Sequence, residues 1–293
     1  MKTIWNAPAG GRSYPSHLQF EFENLKPTLL RVDPIAIQFG KLTIHWYGIF
    51  VAAGFLLGFW TACRRGKRIG ISADSIMDFA PWLIVGVIIG ARVLHVISYW
   101  DERFAGKPWT EVFMIQRGGL VFYGGFIGAC VATIIYARRK KIALWKFADV
   151  LAPSISLGHA LGRIGCLMTG CCFGKACSLP WAIHFPVGHE THPSGSTAMG
   201  VHPTQIYESV LNFGLYIFLE WLFRRKKFDG QVFAAYLVCY AVIRSFVETF
   251  RADYEAADYF FNGAVSPGQF VSIGIFAAGL ILFWIKSPKR RDA

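Results

Sequence analysis

Residues 44–63 read Ile-His-Trp-Tyr-Gly-Ile-Phe-Val-Ala-Ala-Gly-Phe-Leu-Leu-Gly-Phe-Trp-Thr-Ala-Cys, and Arg64-Arg65-Gly66-Lys67-Arg68 follows directly. A helix crossing ~30 Å of hydrocarbon needs about 20 mostly apolar residues. This run has that length and holds no Asp, Glu, Lys or Arg. The basic cluster at its end marks a cytoplasmic flank, because Lys and Arg accumulate on that side. Working outward, six further apolar segments repeat the pattern at 78–99, 119–137, 147–165, 203–223, 231–250 and 267–286. The sequence therefore predicts an all-α integral membrane protein of seven transmembrane helices.

Composition agrees. The chain has 293 residues, 54% hydrophobic and 16% charged, too apolar for a soluble domain of this length. Its net charge of +12 sits largely in short clusters between spans, so nucleic acid is not expected as a partner. Residues 1–16 are polar and are not followed by an apolar run, so no cleavable signal is expected. The clusters at 64–68, 138–141, 224–227 and 286–291 fall on one side of the seven-span arrangement. That side is predicted to be cytoplasmic, with the N-terminus outside and the C-terminus inside. The predicted organisation is an extracytoplasmic arm over 1–43, a membrane domain over 44–286 with an external cap at 166–202, and a basic tail over 287–293. Residues 34–45 alternate around Gly40-Lys41 and predict a short hairpin at the outer face. Gly54 with Gly58 and Gly124 with Gly128 have the spacing that lets membrane helices approach closely, although glycine is also simply common in such helices.

Several ionisable residues fall at one depth near the outer side. Gly158-His-Ala-Leu-Gly-Arg163-Ile-Gly-Cys-Leu-Met-Thr-Gly-Cys-Cys-Phe-Gly174 places an arginine at the outer end of the fourth span. A charge at the centre of a membrane helix costs roughly 2.5–3.5 kcal/mol, so an arginine kept there has a use. Arg92 lies ~10 Å from the outer end of the second span at 1.5 Å per residue. Tyr240, Arg244 and Glu248 share one face of the sixth, and His202, Gln205, Tyr207 and Glu208 open the fifth. Either each arginine bends alone to the headgroups, or together they hold an anion. A carboxylate beside a guanidinium fixes it for a bidentate phosphate contact.

Cys166, Cys171, Cys172 and Cys177 fall within twelve residues on the same side. Three readings stay open. Zinc is one, although the spacing lacks the usual C-x2-C pair. A disulfide of Cys177 with Cys171 or Cys172 suits an oxidising exterior. Free thiols, as small packing residues or a reactive group, are the third.

Taken together, several motifs resemble the prolipoprotein diacylglyceryl transferase family. They are Ile44-His45-Trp46-Tyr47-Gly48, Gly118-Gly119-Leu-Val-Phe-Tyr123-Gly124-Gly125, Gly162-Arg163-Ile-Gly165, His202-Pro-Thr-Gln205-Ile-Tyr207-Glu208 and Arg244-Ser-Phe-Val-Glu248. They run in order across most of the chain, about 33–286. The resemblance implies an enzyme of the bacterial inner membrane. It would move the diacylglyceryl group of phosphatidylglycerol to the lipobox cysteine of a preprolipoprotein and release glycerol-1-phosphate, with no cofactor or metal. The implied partners are phosphatidylglycerol, the lipobox segment and membrane lipids. Arg163, Arg244, Tyr123 and Glu248 are the implied catalytic residues. Tyr47, His45, Tyr240, Cys166, Gly174, His202, Gln205 and Arg92, with the two other arginines, are the implied substrate contacts. Two departures stand out. Cys166 and Thr169 occupy positions where the family signature has asparagines, and Tyr123 stands where well-studied members have a histidine assigned as base. A diverged paralogue acting on another thiol or lipid, or a membrane thiol or metal protein without transferase chemistry, are the alternatives.

Overall fold

A computed structural model describes residues 34–40, 42–115, 118–185, 200–251, 260 and 265–287. Most of the predicted arm, the middle of the cap and nearly all of the basic tail lie outside the described residues.

The described chain opens with an antiparallel hairpin of β1 (Ile35–Phe39) and β2 (Leu42–His45), with Ile37 opposite Ile44 and a register shift between Ile35 and Ile37. Gly40 sits in its turn at φ +58°, a left-handed conformation that glycine takes at little cost. Helices then follow: α1 (Trp46–Arg68), the short α2 (Ala73–Met77), α3 (Phe79–Ser98), α4 (Phe122–Arg139), α5 (Leu144–Thr169), α6 (Thr204–Arg225), α7 (Gln231–Glu248) and α8 (Pro267–Lys286). A π turn (Trp100–Phe104) and a 3-10 turn (Trp109–Phe113) lie between α3 and α4.

Six helical stretches are long and apolar enough to cross a membrane: α1, α2 with α3, α5, α6, α7 and α8. The protein is thus a largely helical, multi-pass membrane protein. α4 is not among the six; it has 18 residues and ends in Arg138-Arg139. It lies along α3, and glycine makes that contact possible. A Cβ on Gly90 would sit 2.8 Å from the Gly128 Cα, and one on Gly86 would sit 2.8 Å from the Gly128 carbonyl oxygen. Gly54 meets Gly158 of α5 in the same way, its Cβ falling 3.2 Å from the Gly158 Cα. Lipid is as apolar as leucine, so close backbone packing replaces the hydrophobic drive as the source of helix association. The outer surface is correspondingly greasy, with Trp284 79% and Phe122 80% exposed.

The basic clusters converge on one end of the bundle. Arg65 is buried there; its Nε donates to the Val150 carbonyl at 2.9 Å, and it pairs with Glu220 and Ser154. Lys140 reaches Asp78 at 2.9 Å, and Lys286 lies 5.5 Å from the Trp145 ring. Asp149, fully buried, accepts from Lys226 Nζ at 2.8 Å and from the backbone N–H groups of Gly230 and Phe233 at 2.9 Å each. A carboxylate at the start of α7 satisfies helix donors that have no partner within the helix. Phe59, Phe79, Tyr136 and Phe147 fill the space beside these pairs.

The expected cost of filling the α3–α4 contact is measurable. Gly90→Ala forces two backbones apart and should destabilise the protein by about 1–3 kcal/mol. Gly274→Ala, whose Cβ meets nothing within 4 Å, should be neutral or stabilising by up to about 1 kcal/mol through helix propensity. Thermal unfolding of both variants in detergent checks the contrast.

Candidate active site

The opposite end of the bundle gathers the C-terminal turns of α5 and α7 and the N-terminal turns of α6 and α8. Glu208, in the second turn of α6, is the centre of this group, with its side chain 1% exposed. Arg163 Nε lies 2.9 Å from Glu208 Oε2, and Arg163 Nη2 donates to Oε1 at 3.1 Å. The guanidinium thus meets both carboxylate oxygens, Oε1 by a hydrogen bond and Oε2 by an ion contact. His159, one turn before Arg163 on α5, places its Nε2 3.0 Å from Glu208 Oε1 and 3.3 Å from Arg163 Nε. Arg251 Nη1 is 3.6 Å from Glu208 Oε2.

A second pair stands beside the first. Arg244 is bonded to Glu248 one turn on, and the other oxygen of Glu248 accepts from Ser266 Oγ at 3.1 Å. Ser266 caps α8, with Pro267 at its first position and Gln269 closing a capping box. Gly268 permits this approach, since a Cβ there would lie 2.7 Å from the Glu248 carboxyl carbon. Tyr240 links the two pairs. Its ring is 5.5 Å from that of His159, and its phenol is within electrostatic range of Glu208, Arg244, Arg163 and Tyr123.

The two arginines are held on one side only. Among the described residues nothing occupies Arg163 Nη1 or the Nε and Nη2 of Arg244, and their side chains remain 15% and 16% exposed. Two oriented guanidinium groups with unspent donors are chemically suited to an anion with several oxygens.

The other sequence candidates are distributed around this centre. Tyr47, exposed at the start of α1, packs on Gly165, where a Cβ would lie 3.1 Å from the tyrosine Cδ2. His45 is exposed at the N-cap of α1 and makes no side-chain cap bond. Tyr123 is half-exposed in the first turn of α4, and its hydroxyl has no hydrogen bond to a described residue. His202 Nδ1 lies 3.3 Å from the Tyr207 hydroxyl. Gln205 Nε2 donates to the Cys171 carbonyl at 2.7 Å, and Thr204 Oγ1 to the Cys172 carbonyl at 2.8 Å. Gly174 is wedged against the His202 Cβ and the Phe250 carbonyl oxygen, each 2.6 Å from where a Cβ would stand. Only glycine fits this close approach.

Arg92, an expected substrate contact, is held by backbone carbonyls. Its Nε donates to the Val112 carbonyl at 2.7 Å and its Nη2 to that of Glu111 at 2.7 Å. Its Nη1 donates to Gly118 at 2.9 Å and Gly119 at 3.2 Å. Every nitrogen of this guanidinium is committed to backbone, so it ties the α3–α4 connection to α3.

The cysteines resolve into a group of three and an outlier. All seven in the chain are free thiols, and the sulfurs of Cys166, Cys171 and Cys172 lie within 4.8 Å of one another. Cys177 is not in this group, and the disulfide weighed for it is not formed. Hydrogen bonds from Cys166 and then Cys171 hold the Cys172 thiol below its ordinary range; burial opposes this, and Arg163 and Arg251 reinforce it.

A sequence model of the prolipoprotein diacylglyceryl transferases matches residues 34–285. The chain belongs to that family. It is 35% identical over 252 residues to the phosphatidylglycerol–prolipoprotein diacylglyceryl transferase of Finegoldia magna, covering 86% of this chain and 94% of that one. The enzyme of the same name from Synechococcus elongatus is 34% identical over 264 residues, 88% of this chain and 89% of its own. That of Bacillus cereus strain Q1 is 35% identical over 260 residues, 87% and 93% respectively.

Three residues at the centre of the site carried no assigned role in the sequence reading: Glu208, His159 and Arg251. Two had a readable signal. His159 is i−4 from Arg163 on one helix face, and Arg251 is i+3 from Glu248. Glu208 was visible as a carboxylate opening the fifth span, but its partners come from other elements and could not be read from the sequence.

Glu208→Gln keeps the shape and removes the charge. Breaking a buried ion pair costs about 3–5 kcal/mol, because the partner is left uncompensated. The thermal midpoint in detergent should fall clearly. An unchanged midpoint would show that the carboxylate does not hold the arginines.

Proposed function

We propose that this family member transfers the diacylglyceryl group of phosphatidylglycerol to the lipobox cysteine thiol of a preprolipoprotein, forming a thioether and releasing glycerol-1-phosphate. Family membership over residues 34–285 carries the reaction class. The paired, half-spent guanidinium groups of Arg163 and Arg244 carry the mechanism.

The protein would sit in the bacterial inner membrane. α4 would complete a set of seven spans beside α3, with the N-terminus and the arginine site outside and the basic end inside. Convergence of the basic clusters at the end opposite the site supports this orientation. The arm and the cap between α5 and α6 would lie outside, and the short tail within.

In this reading the lipid headgroup enters from the outer leaflet. Its phosphate takes the free donors of Arg163 and Arg244, while Glu208 and Glu248 keep both guanidinium planes fixed. The acceptor thiolate attacks the glyceryl carbon that bears the phosphate. Negative charge then grows on the departing phosphate oxygen, where preorganised donors act most strongly. Tyr240 and Tyr123 orient substrate oxygens. Tyr47, His45 and His202 line the approach of the acceptor and the headgroup, Cys166 borders it, and buried Gln205 backs it through the Cys171 carbonyl. Arg92 and Gly174 shape the site through backbone.

Transfer from labelled phosphatidylglycerol to a lipobox peptide tests the reaction directly. Arg163→Lys keeps the charge but loses the planar two-point contact, and should lower the rate by about 10²–10³-fold. Near wild-type transfer would remove the phosphate clamp from the mechanism. For orientation, Arg139→Cys in a background without native cysteines should resist an impermeant thiol reagent in intact cells. Labelling from outside would invert the arrangement.

A further inference from the structure

We infer that Cys166, Cys171 and Cys172 form a three-thiolate site for a divalent cation of the zinc class, whose open coordination position takes the acceptor thiol. This rests on the transferase reading and supplies what that reading lacks, a way to ionise the acceptor. A neutral phenol at Tyr123, with a reference pKa near 10, is a poor base for a thiol near 8.5.

Geometry is the first support. The three sulfurs already lie within 4.8 Å of one another. Tetrahedral zinc with Zn–S of about 2.3 Å sets sulfurs about 3.8 Å apart, so side-chain rotation closes the difference. Two vicinal cysteines do not normally face one point. Here the chain turns back at the end of α5 through Gly170 at φ +74° and Cys172 at φ +62°, both left-handed. A non-glycine residue takes that conformation only where its surroundings impose it. The turn is fixed from both sides. The Cys171 N–H donates to the Cys166 carbonyl at 3.2 Å, and Gln205 and Thr204 donate to the Cys171 and Cys172 carbonyls. The ligand backbone is therefore held without a metal.

Ligand count is the second support. The group contains three donors, and no fourth His, Cys, Asp or Glu joins it among the described residues. Three protein ligands with one open position is the pattern of catalytic zinc, whereas structural zinc takes four. Position is the third. Cys166 stands i+3 from Arg163, so the open coordination site borders the proposed phosphate clamp. Three thiolates on a divalent cation leave one net negative charge, in surroundings where Arg163 and Arg251 both act on Cys172.

The chemistry closes. The acceptor thiol meets a metal-bound hydroxide, which takes its proton and leaves as water, and the thiolate becomes the fourth ligand. A thiol coordinated to a metal is deprotonated outright. Its electron pair attacks the glyceryl carbon, so the carbon–sulfur bond forms as the carbon–oxygen bond to phosphate breaks. The phosphate oxygen keeps that pair and departs as glycerol-1-phosphate between Arg163 and Arg244. The neutral thioether leaves the metal, and water returns and loses a proton to solvent.

The test uses the full-length protein, purified in detergent with phosphatidylglycerol. Elemental analysis should find about one zinc per chain, as one such site requires. Cobalt substituted for zinc should show thiolate-to-metal absorption. A lipobox peptide should change that spectrum, and the same peptide with serine for cysteine should not. Cys166→Ser and Cys172→Ser should each weaken binding by more than the about 10–100-fold that losing an outer-shell partner costs. Cys177→Ser should bind normally. Wild-type protein stripped by a chelator should lose transfer and regain it with zinc, a readout that does not depend on how the variants fold. Full transfer by verified metal-free protein would overturn the cation site and leave the transferase reading intact. So would a reductant-sensitive bridge between these cysteines with no metal taken up after reduction. Zinc bound on the three cysteines without transfer to any lipobox peptide would do the reverse.

Discussion

A carboxylate taken out of water must be met by opposite charge or hydrogen bonds, and in this protein the group that imposes this demand is Glu208. Its side chain is 1% exposed. It is met by His159 and Arg163 from α5 and by Arg251 from the segment after α7. No two of these elements are free to move independently without exposing an unpaired charge. The neighbouring pair of Arg244 and Glu248 extends the constraint through Ser266 to α8. Four helix ends are therefore held in register by two carboxylates. The same contacts orient both guanidinium groups and leave their outer donors unspent, so structural constraint and the proposed anion binding come from one arrangement.

The opposite end of the bundle follows the same logic with different residues. Asp149 gathers Lys226 and the start of α7, and Arg65 ties α1 to α5 and α6. Between the two polar ends the helices associate without help from water, and glycine sets how closely they approach. The crossings of Gly90 with Gly128 and of Gly54 with Gly158 are backbone against backbone. Arg92 shows how a charge on a span can be spent inside the protein. Its four carbonyl acceptors replace the water it has lost and fix the connection leading to Tyr123.

The helices were legible because a bilayer leaves few options. Backbone polar groups in hydrocarbon must be satisfied within the segment, so length and apolarity identify the helix. The reading of 231–250 corresponds to Gln231–Glu248, and 267–286 to Pro267–Lys286. The stretch at 147–165 extends at both ends to Leu144–Thr169, because the first and last turns of a span tolerate Trp, Lys and Thr. The hairpin at 34–45 was visible in its alternation around a glycine turn. Family membership was likewise legible, since its motifs are local and ordered along the chain.

The site was legible residue by residue but not as an arrangement. The sequence by itself determined that arginines and carboxylates lie near one depth, and that four cysteines cluster after the fourth predicted span. Tertiary structure decided which of them meet. It made Glu208 the common partner, sent Arg92 to backbone carbonyls, and selected Cys166, Cys171 and Cys172 while leaving Cys177 aside. The physical reason is range. Hydrophobic length acts within one helix and can be read along the chain. The pairing of buried charges, and a left-handed turn that folds two vicinal thiols back over a helix end, depend on neighbours that sequence order does not supply.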